Sequence, residues 1–190
     1  MTKQGSTMKL TTVSILAGFA FLMQYLNFPL PMFPPFLKVD FSELPALVAG
    51  LMFGPLAGVL VEFLKNLLHY LFSGSDTGIP IGQLANFVAG SIFVVTTVLI
   101  TRKLQGIKGL VTGLTVATIL MAVIMSIANY WVILPAYAFL IHWEVVGPAK
   151  TSLVLYGIGP FNLVKGVLTA LLFIPLYQRL KGRIHLPKIS

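Results

Sequence analysis

The sequence predicts an all-α, polytopic membrane protein with six transmembrane helices and both termini cytoplasmic. Three observations carry that prediction. The 190-residue chain is 57% hydrophobic and only 9% charged, with a mean hydropathy of +0.93, whereas a soluble domain usually carries about a quarter charged residues. Apolar runs recur along it, separated by proline- and glycine-rich breaks. Lysine and arginine gather at the ends of those runs. The length suits one domain, residues 1–190.

The runs follow in order. The first helix is expected over 9–28, behind a polar start with Lys3 and Lys9. No small-residue cleavage site follows it, so it reads as a retained helix rather than a secretory signal. Pro29-Leu30-Pro31-Met32-Phe33-Pro34-Pro35 is too proline-dense for a helix. A second helix, over 42–53, is short for a full span. Gly54-Pro55 breaks the chain, and Pro55 suits the first turn of a third helix over 55–72. A polar loop follows over 73–80. Further helices are expected over 81–101, 109–134 and 157–178. The stretch 135–156 mixes Pro135, aromatics, Glu144 and Gly147-Pro148, and is expected as a re-entrant or surface loop. The third and sixth helices both open on Gly-Pro, which suits either an inverted repeat or ordinary helix initiation.

The net charge is +8, but the basic residues form no amphipathic face for nucleic acid. Lys3, Lys9, Arg102, Lys103, Lys108, Arg179, Lys181, Arg183 and Lys188 fall on one side of a six-span plan. Only Lys38 and Lys150 fall in the opposite loops. The positive-inside rule therefore places both termini in the cytoplasm and turns 29–41, 73–80 and 135–156 outward. Cysteine is absent, which excludes disulfides and thiolate sites. The histidines, His69, His142 and His185, are isolated and make no metal site. Gly147-Pro148-Ala149-Lys150-Thr151-Ser152 lacks the glycine that a phosphate loop needs before its lysine. With five acids in the chain and no nucleophile set, no catalytic residue is expected.

Ionisable groups inside a membrane cost roughly 2.5–3.5 kcal/mol each on insertion scales, yet several are kept. Glu62, Lys65, Asn66 and His69 share one face of the third helix. Glu62 and Lys65 suit an intrahelical pair as well as a functional role. The fourth helix opens with Gln83 and Asn86, the fifth ends with Asn129, Tyr130 and Trp131, and the sixth carries Asn162 and Lys165. In the six-span plan these groups share the outer half of the bundle, with Asn162 and Lys165 roughly 8–12 Å deep. Single amides often serve as interhelical glue, but a common depth describes an outward cavity closed below by apolar residues. A channel would want polar lining throughout. The outer aromatics Phe33, Phe36, Phe41, Tyr137 and Trp143 suit an interfacial belt or the wall of a pocket for a flat ring.

Phe36-Leu37-Lys38-Val39-Asp40-Phe41-Ser42-Glu43-Leu44-Pro45, then Phe53-Gly54-Pro55-Leu56-Ala57-Gly58 and Glu62-Phe63-Leu64-Lys65-Asn66-Leu67-Leu68-His69, resemble the riboflavin-specific S components of energy-coupling factor (ECF) transporters. The similarity is clearest over 33–90. The resemblance implies a multi-pass protein of the prokaryotic plasma membrane, embedded in the lipid bilayer. It would bind riboflavin as transported ligand, hold no cofactor and perform no catalysis. Its implied partners are a transmembrane T component and two cytoplasmic ATPase subunits, with transport by tilting of the loaded subunit. The expected substrate contacts are Lys38, Asp40, Asn86, Asn129, Asn162 and Lys165 as polar groups, with Phe41, Leu44, Tyr130 and Trp131 as apolar walls. Such proteins meet the T component through small residues of the first helix. The matching positions here are Ser14 and Gly18, with Ala17 and Ala20 beside them.

Overall fold

The computed structural model describes residues 3–75 and 78–182, with side chains from Thr7 onward. The side chains of Lys3, Arg183, His185 and Lys188 lie outside the described residues. The helices are α1 (Lys3–Tyr25), α2 (Glu43–Phe53), α3 (Pro55–Ser73), α4 (Ile81–Leu104), α5 (Gly106–Ile141) and α6 (Gly147–Leu180). A two-residue antiparallel ribbon, β1 (Phe28–Pro29) with β2 (Lys38–Val39), ties down the proline-rich loop after α1. Five helices are long and apolar enough to cross a membrane. The exception, α2, has 11 residues and rises only about 16 Å.

That short helix is enclosed rather than lipid-facing. Ala46, Leu47, Ala49 and Leu51 are fully buried where α2 meets α1, α3 and α4. Gly50 and Gly58 let α2, α3 and α4 approach, since a Cβ on either would collide with Val94 or Val98 of α4. Arg102 of α4 donates to the carbonyls of Gly50 and Leu51 at 3.4 and 3.3 Å, satisfying the end of α2. The rest is a chain of neighbours: α1 on α3, α3 on α4, α4 on α5, and α5 on α6. The outward faces carry exposed Leu, Ile, Val and Phe, as a lipid-facing surface requires.

Three sequence expectations are corrected. The stretch 135–156 is mostly helical: α5 runs on to Ile141 and α6 begins at Gly147, ten residues before the expected start. Proline misled the reading because both helices absorb it through a wide π turn. Asn129–Ile133 precedes Pro135, and Leu153–Ile158 precedes Pro160. An i→i+5 turn relieves the clash and the missing donor that proline brings to a regular helix. Gly159-Pro160 therefore lies inside α6 while Gly54-Pro55 opens α3, and the parallel between the two Gly-Pro pairs fails. On α1, Ala17 and Ala20 face inward at 2% and 0% exposure, packed in this chain's own core. They are not available to a partner. Ser14 and Gly18 remain outside, and a Cβ on Gly18 would meet nothing within 4 Å.

Candidate binding site

The end of the bundle that carries the ribbon and the α5–α6 turn holds a cavity of about 150 Å³. Four helical positions supply its polar lining: Asn86 from the first turns of α4, Asn129 at the π turn of α5, and Asn162 and Lys165 of α6. Lys38 of β2 closes one side. The π turn Leu153–Ile158 matters locally, because it adds a residue to a turn ahead of Asn162 and so resets the face that Asn162 presents, whereas Asn129 stands where the α5 π turn begins. Phe36, Tyr137, Trp143 and Phe161 supply aromatic surface around the same space. The Trp143 ring lies edge-on to Phe36 at 5.3 Å and to Tyr137 at 6.0 Å between centroids.

Beneath the cavity sits a buried ionic network. Lys165 Nζ is 2.8 Å from Glu43 Oε1 and 3.5 Å from Asp40 Oδ2. Lys65 Nζ is 2.8 Å from Glu62 Oε2, 3.7 Å from Glu43 Oε1 and 2.5 Å from Ser42 Oγ. Ser42 also donates to Asp40 from its backbone N–H and its hydroxyl. Three of the chain's five acids thus face two lysines, all of them buried. Burial alone would raise the Asp40 carboxyl. The charges of Lys165 and Lys65 and the Ser42 hydrogen bonds outweigh it and bring it from 3.8 to about 2. The first loop is therefore tied to the floor of the cavity through Asp40, Ser42 and Glu43. Below the network the core turns apolar, with Phe93, Val94, Leu114, Met121 and Phe173 buried.

The structure brings together Lys38, Asn86, Asn129, Asn162 and Lys165 at one cavity. It places the other five expected contacts elsewhere. Asp40 lies behind Lys165. Phe41 packs on Phe28, with centroids 6.2 Å apart, and Leu44 packs on the main core. The Tyr130 ring sits under Lys150 at 4.4 Å and packs beside Leu134, Val154 and Ile158. Trp131 points outward at 72% exposure, two residues and so about half a turn beyond Asn129. The aromatic lining falls instead to Phe36, Tyr137, Trp143 and Phe161. The loop aromatics were visible in the sequence, but Phe161 had no signal beyond its place beside Asn162. Glu43 and Ser42 were missed as network members, since pairing across helices leaves no mark in a linear spacing.

Comparison with known proteins adds independent findings. Residues 8–177 match the family described as ECF transporter, substrate-specific component. The riboflavin transporter FmnP of Bacillus subtilis (strain 168) is 44% identical over 178 residues, covering 93% of this chain and 94% of its own. The riboflavin transporter RibU of Staphylococcus aureus (strain TCH60) is 42% identical over 172 residues, covering 90% and 89%. A solved S component of a bacterial ECF transporter superposes with a TM-score of 0.80 at 41% identity, over 94% of this chain and 98% of that one.

Proposed function

The chain belongs to the substrate-specific components of ECF transporters, multi-pass proteins of the bacterial cell membrane, and from that premise we propose that it is the riboflavin-capturing subunit of an ECF importer. The carrying observation is that amides from α4, α5 and α6 and the Lys165 ammonium meet at one aromatic-lined cavity. Riboflavin is uncharged, with a flat ring system edged by carbonyls and nitrogens and a polyhydroxyl tail. Amides match the edge, aromatic rings match the face, and Lys165, matched by Glu43 and Asp40, presents donors without a net positive field.

The relatives that bear the name riboflavin transporter support this substrate. The positive-inside count supports an outward-facing cavity with both termini cytoplasmic. A T component and two cytoplasmic ATPases complete the importer and supply the energy, moving the loaded subunit by tilting it in the bilayer. Ser14 and Gly18 on the open side of α1 are the positions offered for the T component.

The test is a flavin titration of the purified protein. Saturable quenching of riboflavin fluorescence, or a yellow species that co-purifies, is expected. Clean protein that binds another vitamin and ignores riboflavin would overturn the assignment.

A further inference from the structure

Three asparagines on three helices share one local bond. Asn66 of α3, Asn129 of α5 and Asn162 of α6 each donate from Nδ2 to the backbone carbonyl four residues back, at 2.9 Å to Glu62, 2.8 Å to Met125 and 2.8 Å to Ile158. A backbone carbonyl only accepts. Each bond therefore fixes which end of the amide is nitrogen, a choice that otherwise depends on the surrounding network. Asn129 and Asn162 line the cavity, and the oxygen of each is left free by this bond.

Asn66 lies one layer behind the cavity and passes its polarity on. Its oxygen accepts from Gln24 Nε2 of α1 at 3.2 Å. Its remaining N–H points to Asn86 Oδ1 at 3.4 Å. Asn86 thus turns its oxygen toward Asn66 and keeps its NH₂ for the cavity it lines. Gln24 and Asn66 are both buried. Reversing Asn66 would set its oxygen against the Glu62 carbonyl, where two acceptors would face each other.

We propose that Asn66 is a positioning residue that holds the Asn86 amide as a hydrogen-bond donor. The site then takes a ligand edge with an acceptor opposite Asn86 and a donor opposite Asn129 and Asn162. This rests on the riboflavin reading: the imide edge of that ring, carbonyl beside N–H beside carbonyl, supplies the acceptor for Asn86 and one donor, and a hydroxyl of the tail can supply the second donor.

The test measures affinity for riboflavin and for analogues altered at one edge atom. The 1-deaza, 5-deaza, 2-thio and 4-thio forms each weaken one acceptor, and the N3-methyl form removes the donor. At least one acceptor-weakened analogue should bind the unaltered protein about five- to tenfold less tightly than riboflavin. In Asn66→Leu, which frees the Asn86 amide, that penalty should collapse toward one. The N3-methyl penalty should persist, because Asn129 and Asn162 are held independently. Asn66→Asp, which accepts from the Asn86 NH₂, should reverse the preference. Asn66→Asp decides should Asn66→Leu not fold, since Gln24→Met would leave intact the Glu62 bond that fixes Asn66. Variants that weaken every ligand by one common factor, or that keep the acceptor penalty intact, would overturn the relay. So would an unaltered protein indifferent to all four acceptor changes. A protein that binds no flavin at all overturns the riboflavin reading and the ligand edge named here together.

Discussion

The Lys165 ammonium of α6 lies 2.8 Å from the Glu43 carboxylate at the start of α2, an ion pair that joins the wall of the cavity to the loop that covers it. Asp40, 3.5 Å from the same nitrogen, extends the link into the loop itself. A cavity side chain and a covering segment therefore share one set of charges. The segment stays in place because moving it would strand a buried lysine.

That network makes an ordered prediction. Lys165→Met leaves Asp40 and Glu43 without their main counter-ion and should cost about 3–5 kcal/mol of stability, with loss of flavin binding. Glu62→Gln leaves two carboxylates facing two ammonium groups and should cost less, about 1–3 kcal/mol. Thermal or denaturant unfolding in detergent checks the order, and a reversed ranking contradicts the charge count.

Asp40 sets an acid limit. Its folded value, about 2, lies below its ordinary 3.8. A carboxyl lowered by folding contributes its full stability above the ordinary value, and that contribution disappears as pH falls through the folded one. Melting temperature should therefore show no Asp40-dependent change from pH 7 to about 4 and an Asp40-dependent fall from there toward pH 2. Asp40→Asn should lower stability at pH 7 and remove that part of the acid dependence. Parallel acid profiles for the two proteins would contradict it.

Glycine spacing around Glu62 is tight. A Cβ on Gly90 of α4 would overlap the Glu62 carboxylate. Gly90→Ala should destabilise by about 1–3 kcal/mol through displacement of that buried group. Gly18→Ala, with open space around it inside α1, should not lower the isolated subunit's melting point, since alanine favours the helix over glycine. Equal effects at the two sites would show that packing at Glu62 is not the cause.

The aromatic lining separates true walls from bystanders. Trp143→Ala and Phe36→Ala should each weaken riboflavin binding roughly two- to tenfold, the scale of one aromatic contact. Trp131→Ala should not, because its ring faces away from the cavity. Fluorescence titration of the three variants checks this, and sensitivity at Trp131 alone would contradict it.

Legibility differed by residue. Asn86, Asn129, Asn162 and Lys165 could be read from the sequence because a polar residue in a long apolar run is locally anomalous, and counting along the helix gives its depth. Tyr130 and Trp131 follow Asn129 by about 100° and 200° of helix rotation, so adjacency in sequence did not put them on its face. Gln24 drew no notice at all. It sits near the end of α1, where a polar residue looks interfacial, yet it is buried against Asn66.

The sequence by itself determined the class of molecule: an apolar helical chain, its breaks, its charge asymmetry, and a small stock of costly polar groups. Hydropathy and charge are properties of each segment alone, so they survive in linear order. Only the tertiary structure decided which of those groups meet. Glu43 pairs with Lys165 across more than a hundred residues, and Ala17 and Ala20 turn inward rather than outward. Both follow from helix rotation and packing, which depend on the shapes of neighbours that no single segment encodes.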